Sequence, residues 1–199
     1  MHISKLKKIM PHIKVDENLA GIRGLMAFRP ETAEPMGALA NVLLKDTDGL
    51  SPAERELIAT HVSYLNDCFY CHNSHGAIAC IYLGGDNELV DQVRKDYEHA
   101  AVSDKLKSLL NIAAKVQKGG KHVTEEDVER AKKQGATDKD IHDTVLIAAA
   151  FCMFNRYVDG LAANTPTDLS TYPPRAKQVA EKGYGNHIFS PKQPVAEKV

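Results

Sequence analysis

The sequence predicts an all-α fold in which helices supply the whole core. Helix-start signals recur along the chain, and each is followed by apolar residues at a mainly helical spacing. Glycines stand where several of these helices should end, at positions 84–85, 119–120 and 135. Strand signals do not recur, so we expect a helical bundle without a sheet.

The best-marked helix begins after Ser51. Pro52 suits the first helical position, and Glu54 stands three residues after Ser51, which completes a capping box. A second helix should follow almost at once, with Asn66 or Asp67 as its N-cap, and run to the first pair of glycines. This second helix would open on a motif of two cysteines.

Further helices are expected on both sides of this pair. Before residue 50, one or two shorter helices should be interrupted by Pro30 and Pro35. After residue 85, four more helices should begin near Asp86, Ser103, Thr124 and Thr137. The last of them continues to about Ala163. Its middle is apolar on every side, which predicts a place at the centre of the bundle or at a subunit interface.

Residues 1–164 are expected to form a single helical domain. Residues 165–199 are rich in proline, glycine and charge, which predicts an extended C-terminal arm or a loose tail. With 199 residues the chain is long enough to bury a core without disulfide or metal staples. Small size therefore does not explain its cysteines.

The composition argues against nucleic acid and membranes as partners. Lys and Arg total 25 against 26 Asp and Glu, so the chain has no general electrostatic reason to bind either. The first residues lack the apolar stretch of an export signal, and the longest apolar run, residues 145–154, falls short of the ~20 residues that span a membrane. We expect a cytoplasmic protein whose four cysteines stay reduced and serve catalysis, metal binding or packing.

The segment NDCFYCHNSH holds two cysteines and two histidines and has three interpretations. Cys68, Cys71 and His72 match the haem-attachment pattern, although no export signal accompanies them. A zinc site built on Cys68, Cys71 and His75 would lack a fourth ligand, because the sequence has no second Cys-x-x-Cys pair. The third interpretation is a pair of redox thiols with a histidine that handles protons.

Helical geometry favours the redox interpretation. Residues three and four apart share one helix face, so Cys68, Cys71 and His75 form one stripe. Both sulfurs would lie in the first turns, where free N–H groups and the positive end of the helix dipole favour a thiolate. His75 can then accept the proton of Cys71, and Glu56 on the preceding helix can orient the imidazole. Glu56 is preferred to Glu54, because the capping box already explains Glu54.

Four other residues near the motif or in apolar runs are expected to be structural. His61 and His72 flank the stripe and should lie at the surface or in hydrogen-bonded interior positions. Cys80 and Cys152 sit in apolar helix patterns and should act as small buried side chains.

The motif residues resemble the core of a known family. The segment ERELIATHVSYLNDCFYCHNSHG has a glutamate, then a Cys-x-x-Cys pair, then a histidine, at the positions Glu56, Cys68, Cys71 and His75. This pattern is similar to that of the AhpD-like alkylhydroperoxidases, in the carboxymuconolactone decarboxylase-like superfamily, and especially to its uncharacterised peroxidase-related branch. The resemblance is strongest over residues 50–85 and extends, at the level of helix order, to about residue 163.

The resemblance implies a thiol peroxidase that requires no metal, haem or flavin cofactor. Cys71 would attack the peroxide, Cys68 would be the resolving thiol, and Glu56 with His75 would form a proton relay. The partners would be a peroxide substrate and an external dithiol reductant protein that exchanges with Cys68. The protein would be a homo-oligomer, commonly a trimer or a multiple of one.

Two features qualify what the resemblance implies. Tyr70 stands where the best-studied members often have histidine, and tyrosine is not a base at neutral pH. Decarboxylase relatives generally lack the paired cysteines, so that reaction is not expected here. A dithiol–disulfide relay adaptor with little peroxidase activity stays open as an alternative function.

Overall fold

The computed structural model describes residues 10–184, and every regular element within that range is helical. The α-helices are α1 (Ile22–Phe28), α2 (Pro30–Lys45), α3 (Pro52–Leu65), α4 (Phe69–Tyr82), α5 (Asn87–Asp96), α6 (Asp104–Lys118), α7 (Glu125–Lys133), α8 (Asp138–Gly160) and α9 (Tyr172–Lys182). Short 3-10 turns at Gly120–His122 and Leu169–Thr171 lie in two of the connections. The all-α prediction is confirmed.

Side-chain caps open five of the helices at the residues where the predicted helices begin. These caps are Ser51 for α3, Asp86 for α5, Ser103 for α6, Thr124 for α7 and Thr137 for α8. In α3, α7 and α8 the cap is reciprocal, because an acidic side chain three residues on accepts from the backbone N–H of the capping residue. These starts depend on short local sequences, which is why the sequence alone reveals them.

The start of α4 differs from the prediction. Neither Asn66 nor Asp67 is its N-cap; Cys68 takes that position, and its side chain makes no capping hydrogen bond. Asn66 instead ends α3, and its side-chain amide donates to Asn155 on α8 at 2.8 Å. Asp67 turns the chain between the two helices with a φ of 57°. The polar residues of this link therefore close α3 and turn the chain, and the cysteine opens α4.

The two N-terminal prolines have different outcomes. The predicted interruption at Pro30 is confirmed, because α1 ends at Phe28 and α2 begins at Pro30. Pro30 occupies the first position of α2, where a missing N–H leaves no helical hydrogen bond unmade, so it begins a helix. Pro35 lies inside α2, which continues through it to Lys45, so the predicted interruption there was wrong. The later part of α2 buries Leu43 and Leu44 in the main core, which offsets the hydrogen bond that Pro35 removes.

The main core lies between α3, α6 and α8. Their inward-facing side chains are fully buried, among them Ile58, Leu109 and Ile147. The opposite face of α8 stays apolar but exposed, since Leu146 and Met153 are each more than a third accessible. The place of this face at a subunit interface stays a prediction. Within residues 10–184, no helix combines the length and the apolar character needed to cross a membrane.

The described part of the predicted C-terminal arm is helical instead of extended. α9 packs against α4, where Ala176 and Val179 are buried with Ile78. Tyr172, Ala176 and Val179 recur at a helical spacing and are buried, although the surrounding segment is rich in proline and charge. Residues 185–199 of the predicted arm lie outside the described residues, and the predicted domain boundary stays a prediction.

A buried arginine joins α3 to α2, to the connection between them and to α8. The guanidinium of Arg55 donates to three backbone carbonyls and one carboxylate: Leu43, Asp48 and Leu50, each at 3.0 Å, and Asp143 Oδ2 at 2.9 Å. Arg55 is fully buried, and all three of its side-chain nitrogens have partners. A buried charge is tolerated in a core when its polar atoms are hydrogen-bonded and an opposite charge lies beside it.

Replacing Arg55 with methionine should lower the free energy of unfolding by about 3–5 kcal/mol, because Asp143 and three carbonyls lose their donor. Urea unfolding followed by circular dichroism measures the loss. Arg130→Met is the control, since Arg130 is half exposed and its contact with Asp127 is 3.4 Å long. It should cost less than about 1 kcal/mol. Equal losses in the two variants would contradict a special role for Arg55.

Candidate active site

Two neighbouring helices carry the four predicted site residues. α3 supplies Glu56, and α4 supplies Cys71 and His75 after opening on Cys68. Among the described elements, α3 and α4 form the most extensive helix–helix contact. This packing brings Glu56 against His75, which lies nineteen residues further along the chain.

Glu56 and His75 form a buried hydrogen-bonded pair. Glu56 is completely buried, and His75 Nδ1 lies 2.8 Å from its Oε2 atom. The edge of the His75 ring packs against Phe151, with the ring centroids 4.6 Å apart. Because Nδ1–H donates its hydrogen bond to the carboxylate, Nε2 of the neutral imidazole is free to accept a proton. The pair therefore has the arrangement of a histidine base held by a carboxylate.

Tyr184 completes this pair and was not predicted from the sequence. Its hydroxyl donates to Glu56 Oε1 at 2.6 Å and lies 3.3 Å from His75 Nδ1. Its ring lies nearly parallel to the His75 ring, at 16° and 6.0 Å between centroids. Burial and the nearby Glu56 charge raise the pKa of Tyr184 well above its ordinary value, so the hydroxyl keeps its proton.

The backbone around Tyr184 is held at the far end of α9. Its N–H donates to Asn41 Oδ1 on α2 at 3.0 Å. Gly183 makes the preceding turn with a φ of +74°, and a Cβ there would lie 2.4 Å from Asn41 Oδ1. Only a glycine fits this turn without strain. No local signal links Tyr184 to Glu56, because the two residues are joined only by the packing of α9.

The two cysteines lie together at the start of α4. Cys68 is the N-cap and Cys71 the third helical residue; both are free thiols and buried. The side-chain hydrogen bond to Cys71, with burial, raises the pKa of Cys68 far above its ordinary value. The charge of Asp159, at the end of α8, also raises the pKa of Cys68. Cys68 therefore keeps its proton.

Cys71 and His75 line the same cavity, which we call the cysteine cavity. Its volume is about 70 Å³, and Tyr70 and Tyr184 also line it. Apolar side chains form most of the remaining wall: Ile22, Met26, Met36, Ala40, Phe151 and Phe154. A small peroxide with an apolar substituent would meet one thiol, one imidazole and little water there.

Tyr70, the residue that departs from the family pattern, is packed as a wall. Its ring lies 6.0 Å from that of Tyr172, measured between centroids. Gly21 approaches it so closely, at a φ of +56°, that a Cβ there would lie 2.1 Å from the ring. Burial raises the pKa of Tyr70, so it stays protonated and is not a base.

The four histidines and cysteines that were expected to be structural lie outside the cysteine cavity. His61 is buried against the Tyr97 ring, and His72 packs edge-on against two aromatic rings. Cys80 and Cys152 are half-buried and pack against the main core. Among residues 10–184, no three His, Cys, Asp or Glu side chains are grouped as a metal-binding set.

The chain matches a family model and solved structures of known proteins. The model described as the carboxymuconolactone decarboxylase family matches residues 30–93, which include all four predicted site residues. An uncharacterized peroxidase-related protein from Ralstonia eutropha JMP134, described as an alkylhydroperoxidase AhpD core, is 32% identical. That match covers 73% of this chain and 76% of the other, with a TM-score of 0.68. The chain is an AhpD-like member of the carboxymuconolactone decarboxylase family.

A second solved structure agrees with the AhpD-like fold. It is an uncharacterized peroxidase-related protein from Silicibacter sp. TM1040, 26% identical to this chain, with a TM-score of 0.72. The match covers 84% of this AhpD-like chain and 97% of that protein. A comparison with curated proteins gives no significant match. The family predicted from the motif is confirmed, whereas the roles of the individual site residues stay predictions.

Replacing Tyr184 with phenylalanine should lower the free energy of unfolding by about 1.5–3 kcal/mol, because the buried Glu56 carboxylate loses a hydrogen bond. Urea unfolding at pH 7 measures the loss. Tyr172→Phe is the control, since its hydroxyl donates only to the neutral carbonyl of Pro166, at 2.8 Å. It should cost about 0.5–1.5 kcal/mol. A Tyr184→Phe loss no larger than the control would show that the Glu56 contact contributes little.

Burial of His61 should make the protein less stable in mild acid. Burial lowers the pKa of His61 to about 4 from an ordinary 6.5. Well above pH 6.5 the ring is neutral in both states. As the pH falls from 6.5 towards 4, the unfolded chain gains a proton that the folded chain excludes, so stability is lost. The loss from His61 between pH 7 and pH 5 is about 2 kcal/mol.

Urea unfolding of the intact protein and of His61→Leu at the two pH values tests this expectation, because leucine removes the titrating ring. The pH dependence should weaken in His61→Leu. It should persist in His122→Leu, whose histidine is exposed. An unchanged pH dependence in His61→Leu would show that other groups cause it.

Proposed function

We propose that this AhpD-like protein is a thiol-dependent peroxidase with Cys68 and Cys71 as its redox pair. The observation that carries the proposal is the cavity shared by Cys71 and His75, beside the buried hydrogen bond from His75 to Glu56. Both solved relatives are described as peroxidase-related, which supports the same reaction class.

In the first step, the Cys71 thiolate attacks one oxygen of the peroxide. His75 Nε2 takes the thiol proton before the attack, and Glu56 stabilises the charged imidazolium. A sulfur–oxygen bond forms as the oxygen–oxygen bond breaks, and His75 returns the proton to the departing oxygen. The products are the sulfenic acid of Cys71 and an alcohol, or water from hydrogen peroxide. Two electrons pass from the sulfur to the peroxide.

The asymmetry of the pair supports Cys71 as the attacking thiol. The raised pKa of Cys68 keeps that thiol protonated. Cys71 also lines the cysteine cavity, whereas Cys68 does not. A peroxide in this cavity therefore meets Cys71 first.

In the second step, Cys68 attacks the sulfenic sulfur of Cys71, a disulfide forms and one water leaves. An external dithiol protein then reduces the disulfide by exchange at Cys68 and is itself oxidised. Cys68 is fully buried, in an apolar cluster that includes Leu25, Val158 and Tyr172, so this exchange requires the site to open. A relay adaptor would have to present a sulfur to two protein partners, so this burial favours the peroxidase over the adaptor.

The assembly and location complete the proposal. We place the protein in the cytoplasm as a homo-oligomer, a trimer or a multiple of one. The exposed apolar face of α8, with Leu146 and Met153, is the observation that supports assembly.

Replacing Cys71 with serine should reduce peroxide consumption to the uncatalysed rate, because serine cannot supply the two electrons. Loss of cumene hydroperoxide in the presence of a dithiol reductant measures the rate. Cys80→Ser is the control, since Cys80 lies on the same helix but outside the cysteine cavity, and it should keep the intact rate.

The companion variant Cys68→Ser separates the two thiols. After one equivalent of peroxide, mass spectrometry should find one added oxygen trapped on Cys71, because the resolving thiol is absent. Equal and slow oxidation of all the cysteines, or fast disulfide exchange with negligible peroxide turnover, would overturn the peroxidase proposal.

A further inference from the structure

A second cavity lies next to the cysteine cavity and contains two arginines. Its volume is about 140 Å³, and we call it the arginine cavity after Arg23 and Arg175, which line it. The two cavities share four lining residues: Ile22, Tyr70, His75 and Tyr184. A molecule that filled both would have one end beside the arginines and the other beside Cys71.

The arginines of this cavity lack a counter-charge. Among residues 10–184, neither Arg23 nor Arg175 has a carboxylate within ion-pair distance. Arg23 Nε is buried and has no hydrogen-bond partner, and Arg175 Nη1 donates to the neutral amide of Gln178 at 2.6 Å. Arg55 is the contrast, since all of its nitrogens are satisfied within the core. Arg23 and Arg175 keep donors that an incoming anion can use.

The two guanidinium groups also repel each other. Burial, and then the charge of Arg23, lower the pKa of Arg175 to about 10. Two like charges held together in a partly dry cavity raise the free energy of the empty site, and an anion between them would relieve the repulsion. The planar guanidinium fits a carboxylate through paired hydrogen bonds.

The rest of the arginine cavity is suited to hydrocarbon. Ala20, Ile78, Ala176 and Val179 line it together with the rings of Tyr70 and Tyr172. An anion with no apolar part would leave these walls uncovered, whereas the methylene groups of an organic acid would cover them. The site is thus charged at one place and apolar around it.

We propose that the arginine cavity binds the carboxylate of an amphipathic organic acid, and that the preferred substrate is a hydroperoxide that carries such a carboxylate. The second half rests on the proposed peroxidase function. Binding of the carboxylate holds the hydroperoxide chain against the wall of Tyr70, His75 and Tyr184, beside the cysteine cavity. Peroxides without an acid group lack this anchor.

The kinetic test uses a medium-chain hydroperoxy fatty acid and its methyl ester, both below their micelle concentrations. The two molecules differ only in the charge that the arginines would bind. The intact protein should show kcat/KM at least about tenfold higher for the acid, and Arg23→Gln or Arg175→Gln should bring the acid-to-ester ratio down towards one.

Lys177→Gln is the matched control. It removes one positive charge from the same helix as Arg175, at an exposed position outside the cavity, and it should keep the ratio. Arg175→Lys keeps the charge but loses the paired geometry, so it should retain part of the preference. Circular dichroism establishes that each variant is folded. A ratio near one in the intact protein, or an equal ratio in the glutamine variants, overturns the inference and leaves the peroxidase proposal standing.

A binding experiment tests the carboxylate site without any turnover. Isothermal titration of octanoate should give heat with the intact protein and Lys177→Gln, and at least tenfold weaker binding with Arg23→Gln and Arg175→Gln. If peroxidase activity is absent but this pattern appears, the peroxidase proposal fails and the carboxylate site stands. Absence of octanoate binding, or equal binding of inorganic phosphate, overturns the assignment to an organic carboxylate.

Discussion

The buried carboxylate of Glu56 is the constraint around which the candidate site is arranged. A carboxylate without water must have hydrogen-bond donors, and here two side chains from different parts of the chain provide them. His75 donates from α4 at 2.8 Å, and Tyr184 donates from beyond α9 at 2.6 Å. These two hydrogen bonds thus join α3, α4 and the segment after α9. The same contacts hold the imidazole in the tautomer that leaves Nε2 free, so the packing of the site and its proposed chemistry depend on one group.

The position of Cys68 and Cys71 at the start of α4 makes two equivalent side chains unequal. Cys68 is the N-cap and is fully buried in an apolar cluster, where its pKa is raised. Cys71 lies one turn further on and lines the cysteine cavity. One thiol therefore keeps its proton, and the other meets the cavity. The division of labour proposed for the two sulfurs follows from this difference in surroundings.

The arginines of this AhpD-like protein differ in whether their side-chain nitrogens have partners inside the protein. Arg55 is buried with all three side-chain nitrogens bonded, so it links helices and has nothing left to bind. Arg23 and Arg175 line a cavity, and no carboxylate pairs with either in the described chain. A protein interior rarely leaves such donors unused, because unpaired buried polar groups are costly. This difference in pairing, more than the presence of arginine, is what makes the arginine cavity a candidate binding site.

Local sequence determined the helical class, most of the helix starts and the four residues of the motif, because caps and helical spacing act over three or four residues. It was wrong where a distant contact competed with a local signal: at Pro35, at the cap of α4, and in the C-terminal segment that becomes α9. Only the tertiary structure decided that Tyr184 donates to Glu56, that Cys68 is the more deeply covered thiol, and that Arg23 and Arg175 share a cavity. These relations join residues from about 90 to 150 positions apart, or depend on which groups exclude water, and no short stretch of sequence carries that information.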